Sequence, residues 1–418
     1  MPLNVYIIAG EPSGDRLGGA LMRALSEREE IIFNGVGGQD MTGAGLRPLF
    51  EMSDLTVMGL SEVLPRLPLI LRRMRETADD IVRVQPDVLI TIDAPDFCLR
   101  VAARARKARP DLKVIHYVAP SVWAWRPGRA AKMARHVDHV LALLPFEPPF
   151  MQAAGMSCDF VGHPVAGAPQ PSVADTSTYR AHLGLTPDRK ALLLAPGSRR
   201  GEIRRLREDF VQTVARLRQT LPDLTVLCPI AETVRGDVDD MLSEIGDPCI
   251  AIHSGSASPG EIFDQKTLAF AAADAALCAS GTITLELAAA GTPMVAAYRT
   301  TWLTSQIVRR LIRVNTANLI NLISGEAVVP EFLQEFSTPV ALEQAILPLL
   351  LDPQAADAQR QAFDDVMDTM GRGGPRPEDR AAYSVLSVLN GDTARPDAAA
   401  QAAAALVPGP GKRHSGRR

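Results

Sequence analysis

Short, unbroken apolar runs alternate along the chain with longer stretches whose apolar residues recur at helical spacing. The runs are rich in Val, Ile and Leu, which is typical of parallel strands buried on both faces. They predict strands at residues 4–9, 31–36, 87–92, 113–118, 137–143, 159–162, 190–195, 224–227, 250–252, 273–278 and 294–297. The helical spacing predicts helices at residues 15–29, 69–84, 97–109, 146–154, 202–220, 260–271, 282–290, 341–351 and 377–389.

Strand and helix alternate in both halves, which predicts an α/β protein with two doubly wound, Rossmann-like domains. Gly162-His163-Pro164 and the Pro-, Ala- and Ser-rich residues 165–177 are the candidate linker. We therefore predict a first domain at residues 1–165, a second at 166–375, and a helix at 376–391 that packs back on the first. Residues 392–418 hold mainly Ala, Pro, Gly and terminal Arg, and we expect them to be disordered.

Composition and charge exclude several classes of protein. The chain is 46% apolar and 22% charged, as in ordinary globular enzymes, and its net charge of -4 argues against a nucleic-acid partner. Its five cysteines are far apart, so we expect free thiols in a reducing compartment. The early first strand leaves no room for a signal peptide, and no window reaches the roughly 18 apolar residues of a membrane span. These features predict a cytoplasmic protein.

Two glycine turns that follow predicted strands are the first candidate binding sites. Residues 9–15 read AGEPSGD, and residues 279–286 read ASGTITLE. A strand, a glycine turn and a helix start aim backbone N–H groups and the helix dipole at an anion. Around Gly281 these groups could hold a diphosphate, with Ser280 and Thr282 capping the helix and Glu286 binding a ribose diol. The alternative is a helix cap without a ligand.

A second phosphate-type loop, APGSRRGE, occupies residues 195–202. Ser198 offers a hydroxyl, and Arg199 offers a planar cation that suits phosphate oxygens. The arginines that follow are expected to form a solvated helical face.

Two carboxylates, Asp93 and Asp96, follow a predicted strand in the sequence IDAPDF. Pro95 bars an earlier helix start, so Asp96 could cap the helix. A partly desolvated carboxylate at the end of a strand could equally act as the general base for a sugar hydroxyl. Asp96 is the first candidate for such a base, Asp93 is the second, and Glu11 is a further candidate catalytic carboxylate.

Other polar and aromatic residues are candidates for contact with a sugar. Ser13 and Asp15, in the first glycine turn, suit sugar hydroxyls or an amide better than phosphate. Trp123 and Trp125 follow a strand and form either a sugar-stacking platform or the core of a packed loop. No histidine has a metal-ligand spacing, and Asp237-Val238-Asp239 lies in a polar helical stretch, so we expect no metal site.

One segment, residues 57–74, reads VMGLSEVLPRLPLILRRM. It is too short and too interrupted by proline for a span, but apolar residues flanked by Arg suit insertion at a membrane surface beside anionic lipids. The alternative is a buried helical lid. Residues 307–314, with three arginines, could add a basic contact. The residues predicted to face the membrane are Leu64, Leu67, Leu69, Ile70, Leu71, Arg72 and Arg73.

From about residue 3 to about residue 390 the sequence resembles the lipid-A-disaccharide synthase family, which is glycosyltransferase family 19 and has the two-lobed GT-B architecture. The resemblance implies two domains that face each other across a cleft, with C-terminal helices crossing back. It is carried by motifs in the expected order: AGEPSGD at 9–15, GVGG at 35–38, VMGLSEVLPRL at 57–67, IDAPDF at 92–97, HYVAPSVWAWRPGR at 116–129, LPFE at 144–147, GHP at 162–164, PGSRRGE at 196–202 and ASGTITLE at 279–286.

The resemblance also implies a reaction. UDP-2,3-diacylglucosamine condenses with 2,3-diacylglucosamine 1-phosphate, with inversion, to give the β-1,6-linked disaccharide and UDP. Asp96 matches the base proposed for the family, Arg199 and the Gly281 turn match positions that hold the diphosphate, and Glu286 matches the ribose position. Asn321 falls in a segment on the nucleotide side. Helix dipoles and cations neutralise the leaving diphosphate in this architecture, so no metal and no other cofactor is implied.

Both substrates carry acyl chains, so the resemblance implies peripheral binding to the cytoplasmic leaflet of the inner membrane. The oligomeric state stays open, because C-terminal helices that cross back could be exchanged in a homodimer. Two rival functions also stay open. A UDP-sugar 2-epimerase uses the same scaffold, and a non-catalytic lipid or nucleotide carrier could be built on two lobes.

Overall fold

The computed structural model describes residues 2–55, 60–123, 128–253, 263–300 and 316–391, with only the backbone described at 60–65. The chain divides into two compact units. The first unit combines Met1–Gly167 with the chain from Gly373 onward, and the second unit is Ala168–Arg372. The predicted tail at residues 392–418 lies outside the described residues.

The described part of the first unit contains a parallel sheet of seven strands in the order β3-β2-β1-β4-β5-β6-β7. The three central strands β1, β4 and β5 are almost wholly buried, as their Val- and Ile-rich sequences predict. The strands are β1 (Leu3–Ala9), β2 (Ile31–Val36), β3 (Arg47–Pro48), β4 (Val88–Ile92), β5 (Lys113–Tyr117), β6 (His139–Ala142) and β7 (Ser157–Phe160).

Helices cover this sheet, and apolar residues of α3 and α4 share a core with strands β1, β4 and β5. The helices of the first unit are α1 (Pro12–Ser26), α2 (Gln39–Gly43), α3 (Leu60–Val84), α4 (Pro95–Ala108), α5 (Gly128–Met133), α6 (Pro148–Gln152), α7 (Pro164–Gly167) and α16 (Pro377–Asn390).

The described part of the second unit contains a parallel sheet of six strands in the order β10-β9-β8-β11-β12-β13. Its strands are β8 (Ala191–Ala195), β9 (Thr225–Ile230), β10 (Cys249–His253), β11 (Ala275–Ala279), β12 (Met294–Tyr298) and β13 (Glu331–Leu333). Its helices are α8 (Val173–His182), α9 (Arg200–Thr220), α10 (Arg235–Ile245), α11 (Gln265–Ala272), α12 (Ile283–Ala289), α13 (Leu319–Ser324), α14 (Pro339–Leu351) and α15 (Pro353–Thr369).

Each sheet has one point where the strand order reverses direction. In the first sheet this point lies between β1 and β4, and in the second it lies between β8 and β11. Ligands of doubly wound proteins bind outside the carboxyl ends of the strands at such a switch point. All four turns that the sequence singles out, at residues 9–15, 92–97, 195–202 and 279–286, follow these four strands.

The candidate linker at residues 165–177 contains the boundary between the two units, which lies between Gly167 and Ala168. It also includes α7 and the start of α8, where Ser172 and Asp175 form a reciprocal capping box. Pro95 is the first residue of α4, so the helix does not begin before it, and a missing N–H costs nothing at that position. The five cysteines are free, as expected.

Helix α16 packs on α1 and on strands β6 and β7 of its own chain. Arg28 pairs with Asp379 at 2.8 Å. The Ser384 hydroxyl donates to the Asp159 carboxylate at 2.7 Å and lies 2.8 Å from Nε2 of the buried His139. These polar contacts fix the last helix against the first sheet. Its exchange between two copies stays a prediction.

Candidate functional site

In the first unit, the turns after β1 and β4 lie side by side at the switch point. A Cβ added to Gly10 would lie 3.1 Å from the Cβ of Ala94, so glycine allows this close approach. The second turn is unusual in its backbone, since Asp93 and Ala94 have φ values of 47° and 41°. Val118, at the end of β5, has a φ of 79°, which is an outlier for a β-branched residue. Strain of this kind clusters at functional sites.

Asp96 is exposed in the first turn of α4. The capping role considered for it is wrong, because Ala94 occupies the N-cap position and no side chain caps the helix. Among the described residues the Asp96 carboxylate has no hydrogen-bond or ion-pair partner. An exposed carboxylate of this kind is chemically suited to accept a proton from a hydroxyl.

Asp93 is half-buried between β4 and α4. Burial raises the pKa of its carboxyl group, and a hydrogen bond with the backbone of Ala94 partly opposes this shift. The raised pKa and the strained backbone keep Asp93 a candidate for proton transfer beside Asp96.

In the first turn, Glu11 is the extended N-cap residue of α1, and its side chain and that of Ser13 are exposed. Asp15 is different. It is 5% exposed, and its carboxylate accepts hydrogen bonds from the backbone N–H groups of Gly38, Asp40 and Met41 at 2.7, 3.0 and 3.1 Å. The prediction that Asp15 binds sugar is corrected, because this carboxylate is used to hold the start of α2.

The proposed tryptophan platform is also corrected. Trp123 is buried, with its ring edge-to-face against Phe146 at a centroid distance of 5.2 Å. Its indole N–H lies near the buried Glu147 carboxylate without meeting hydrogen-bond geometry. Trp123 therefore belongs to the packed loop core, and Trp125 lies outside the described residues.

A cleft of about 380 Å³, which we name the basic cleft, lies beside Asp96. Helix α4 supplies Asp96 and Arg100 to its lining, and α5 supplies Arg129 and Lys132. Arg135 follows α5 on the same wall. The remaining lining is Pro95, Leu99, Ala103, Pro120, Met133 and His136. Sequence reasoning did not find this cleft, although the basic residues at 129, 132 and 135 recur at helical spacing.

In the second unit, the loop after β8 leads into α9. Gly197 has a φ of 113°, and a Cβ there would lie 2.6 Å from the Glu202 carboxylate, so the turn requires glycine. Ser198 is exposed, and Arg199 is the N-cap residue of α9. The Arg199 side chain is 82% exposed and lies 3.3 Å from Glu202. The guanidinium is therefore accessible to an anion at the start of a 21-residue helix.

The turn after β11 is built differently from the prediction. The hydroxyl of Ser280 donates to Glu331 at 3.1 Å instead of capping the helix, and Thr282 is the N-cap residue without a side-chain cap. The backbone N–H groups of Gly281 and Thr282 have no acceptor among the described residues. A Cβ on Gly281 would meet no atom of the described residues within 4 Å.

Glu286, predicted to bind ribose, pairs with Lys266 of α11 at 2.5 Å. Lys266 was not singled out from the sequence, because only the fold brings α11 next to α12. Asn321 is corrected. It is buried, and its amide donates to the carbonyl of Val329 at 2.9 Å while accepting from the N–H of Val329 at 2.8 Å. Asn321 therefore holds its own loop in place, and its amide groups are used within the fold.

The residues predicted to face a membrane divide into two sets. Leu67 is 41% exposed and Arg72 is exposed, whereas Leu69 is partly buried. Ile70 and Leu71 pack against the core of the first unit, which corrects their assignment.

The assignment of Arg73 to the membrane surface is corrected as well. Its guanidinium pairs with Asp54 and Glu76 at 2.7 Å and lies over the ring of Phe50. The side chain of Leu64 and residues 307–314 lie outside what the structure describes. No helix in the described part of the chain is long and apolar enough to cross a bilayer.

Asp237, in the DVD sequence, faces the basic side chains of Arg200 and Arg204 at 3.5 and 3.8 Å. Across residues 2–55, 60–123, 128–253, 263–300 and 316–391, no group of three or more His, Cys, Asp or Glu side chains could hold a metal ion.

Comparison with known proteins shows the family of this chain. A family profile described as lipid-A-disaccharide synthetase matches residues 5–382. A lipid-A-disaccharide synthase from Ruegeria pomeroyi is 48% identical over 390 residues, which cover 93% of this chain and 96% of that protein. One from Rhodospirillum centenum is 45% identical over 392 residues, which cover 93% and 95%.

Solved structures show the same fold at low identity. A structure of S. aureus MnaA with UDP has a TM-score of 0.63 at 15% identity, covering 95% of this chain and 99% of that one. The UDP-GlcNAc 2-epimerase of Neisseria meningitidis bound to UDP-GlcNAc has a TM-score of 0.59 at 12% identity, covering 93% and 99%. These similarities establish two Rossmann-like domains of the GT-B type.

Proposed function

Because the chain belongs to the lipid-A-disaccharide synthetase family, we propose that it joins two acylated glucosamine units. The donor is UDP-2,3-diacylglucosamine, the acceptor is 2,3-diacylglucosamine 1-phosphate, and the products are the β-1,6-linked disaccharide 1-phosphate and UDP. An α-linked donor and a β-linked product require inversion. The acceptor 6-hydroxyl therefore attacks the anomeric carbon opposite the departing UDP, and a base must take its proton.

We propose Asp96 as that base, and its position is the observation that carries the proposal. It is an exposed carboxylate with no partner among the described residues, directly after a strained turn at the switch point of the first sheet. The new bond forms between the acceptor oxygen and the anomeric carbon as the bond from that carbon to the diphosphate breaks. The hydroxyl proton passes to the Asp96 carboxylate. Asp93 is the second candidate.

The second unit would bind the nucleotide. Arg199 and the N–H groups of Gly281 and Thr282 supply positive charge for the departing diphosphate, and the start of α9 adds its dipole. The hydroxyl of Ser198 is available to the same phosphates. Glu286 would accept hydrogen bonds from the ribose diol while Lys266 holds it in place. Because these groups can neutralise the diphosphate, we expect chelating agents to leave the rate unchanged.

Glu11 and Ser13 would contact the acceptor sugar, since the Gly10–Ala94 contact holds their turn beside the Asp96 turn. The acyl chains of both substrates place the reaction at a lipid surface. We propose peripheral binding to the cytoplasmic leaflet of the inner membrane through α3, where Leu67 and Arg72 are exposed.

The test is release of UDP by the purified protein from the two lipid sugars, compared with Asp96→Asn and Asp93→Asn. Asp96→Asn should lower kcat by about 10²- to 10⁴-fold, the range typical of a general base, with little change in KM. Absence of UDP release by the wild type would contradict the transferase. A 2-epimerase would instead convert a UDP sugar without an acceptor, and a carrier would bind both ligands without turnover. Full activity of Asp96→Asn would show that Asp96 is not the base, and Asp93 would become the first candidate.

A further inference from the structure

The basic cleft beside Asp96 concentrates positive charge in a chain whose net charge is -4. Four permanent cations, Arg100, Arg129, Lys132 and Arg135, line it together with the single carboxylate of Asp96. Cations that line one cleft repel one another, and an anion bound among them would offset that repulsion. The cleft therefore has the charge of a site that is completed by a ligand.

None of the four cations has a carboxylate partner among the described residues. Arg106, close by on α4, shows the contrast, since one of its nitrogens lies 2.7 Å from both oxygens of Asp138. Arg106 is thus neutralised within the fold, whereas the cleft cations remain available. Burial and the charges of Arg106 and Arg135 lower the pKa of His136, which adds no positive charge to the cleft at neutral pH.

We propose that the basic cleft binds the anomeric phosphate of the acceptor sugar. This inference rests on the proposed function, and it names how the acceptor is recognised. A phosphomonoester carries about -1.5 to -2 charges at neutral pH and three acceptor oxygens. Arginine forks match those oxygens in pairs, and Lys132 adds a flexible point charge.

The arrangement also explains how the acceptor is oriented. The attacking 6-hydroxyl and the anomeric phosphate belong to one sugar ring, and Asp96 and the cations line one cleft. A phosphate held among the cations would present the hydroxyl of the same ring to Asp96. The apolar lining of Leu99 and Met133 gives the ring a surface to lie on. Positioning of this kind is a large part of rate enhancement in two-substrate reactions.

The test compares two acceptors, 2,3-diacylglucosamine with and without the anomeric phosphate, in wild type and in Arg129→Gln/Lys132→Gln. For the phosphorylated acceptor we expect kcat/KM of the variant to fall by about 10- to 100-fold, mainly through KM, as for loss of charge-assisted hydrogen bonds. For the acceptor without phosphate, kcat/KM should change by less than about twofold. The variant Arg104→Gln/Lys107→Gln removes two exposed cations of α4 outside the cleft and should match the wild type with both acceptors.

Three results would overturn the inference. An equal loss of kcat/KM with both acceptors would show that Arg129 and Lys132 support the fold or the catalytic base and do not bind the phosphate. An unchanged preference for the phosphorylated acceptor would exclude the cleft from phosphate binding. Weaker sedimentation of the variant with vesicles of anionic lipid, at an unchanged acceptor preference, would assign the cations to lipid headgroups. If the wild type releases no UDP from either acceptor, it is the proposed transferase that fails, and phosphate protection of the cleft against arginine-directed modification still tests the site.

Discussion

A Cβ on Gly10 would lie 3.1 Å from the Cβ of Ala94, so the turns that carry Glu11 and Asp96 are packed directly against each other. Gly10→Ala should push the turn at Asp93 and Ala94 by a few tenths of an ångström. Even a small displacement of catalytic groups lowers the rate steeply. We expect kcat to fall by about tenfold or more, with a small change in Tm, in the UDP-release assay. Gly43→Ala, where a Cβ meets nothing within 4 Å, is the control and should keep full activity.

Arg199→Ala should weaken UDP binding. The guanidinium is 82% exposed at the start of α9, so its loss removes the proposed phosphate contact without disturbing the core. A charge-assisted contact corresponds to an increase in Kd of about tenfold or more, measured by calorimetric titration. Arg204→Ala, 75% exposed further along the same helix, should leave the Kd unchanged. Equal affinity of the Arg199 variant and the wild type would remove Arg199 from the nucleotide site.

Asp15→Ala should destabilise the first unit. It removes the acceptor of three backbone N–H groups, those of Gly38, Asp40 and Met41, at a position only 5% exposed. We expect a loss of about 3 kcal/mol, since unsatisfied buried donors cost about 1–3 kcal/mol each and water restores part of that. Chemical denaturation followed by circular dichroism measures it. The exposed neighbour Asp40 is the control, and Asp40→Ala should cost about 0.5 kcal/mol or less.

Glu147 should make stability depend on pH. Burial raises the pKa of its carboxyl from 4.5 to about 8, with hydrogen bonds from backbone N–H groups partly opposing the shift. Between these values the folded state binds a proton that the unfolded state has lost. The free energy of unfolding therefore falls as pH rises from 4.5 to about 8.

Glu147→Gln replaces the titrating carboxyl with a group that does not titrate. The stability of this variant relative to the wild type should therefore increase as pH rises from 4.5 to about 8. Thermal unfolding at pH 5, 6, 7 and 8 provides the comparison. Glu29→Gln, on the surface, should follow the wild-type curve. Parallel curves for Glu147→Gln and the wild type would show that Glu147 is ionised in the folded protein at all four pH values.

Leu67→Glu should weaken binding to vesicles that contain anionic lipid. Leu67 is 41% exposed on α3, so a carboxylate there is tolerated by the fold but is repelled by the lipid surface. Co-sedimentation measures the bound fraction. Val173→Glu, at an 85% exposed position of the second unit, makes the same change of polarity and should bind as the wild type does. Unchanged binding of Leu67→Glu would remove α3 from the membrane contact.

The four candidate turns could be predicted because each is a local feature, namely a buried strand followed by glycine or proline and a helix. Their position at the two switch points depends on the order of the strands in each sheet. That order is set by pairing between strands that are distant in sequence, which local patterns do not show. The errors have the same origin. The local sequence around Asp15 suggests a sugar contact, but its carboxylate accepts hydrogen bonds from backbone N–H groups at residues 38–41. The local sequence around Trp123 suggests a sugar-stacking surface, but its ring packs against Phe146. The basic cleft likewise needs α4 and α5 to be neighbours.

The second unit is inserted into the chain of the first, and this nesting sets the order in which the protein can be completed. Strands β6 and β7 leave the ribosome early, but Ser384, which bridges His139 and Asp159, follows only after all of the second unit has been made. Domains that are continuous in sequence fold as they emerge. The inserted second unit can thus fold before the first unit is complete. The sheet of the first unit lacks its contacts with α16 until that helix has been synthesised.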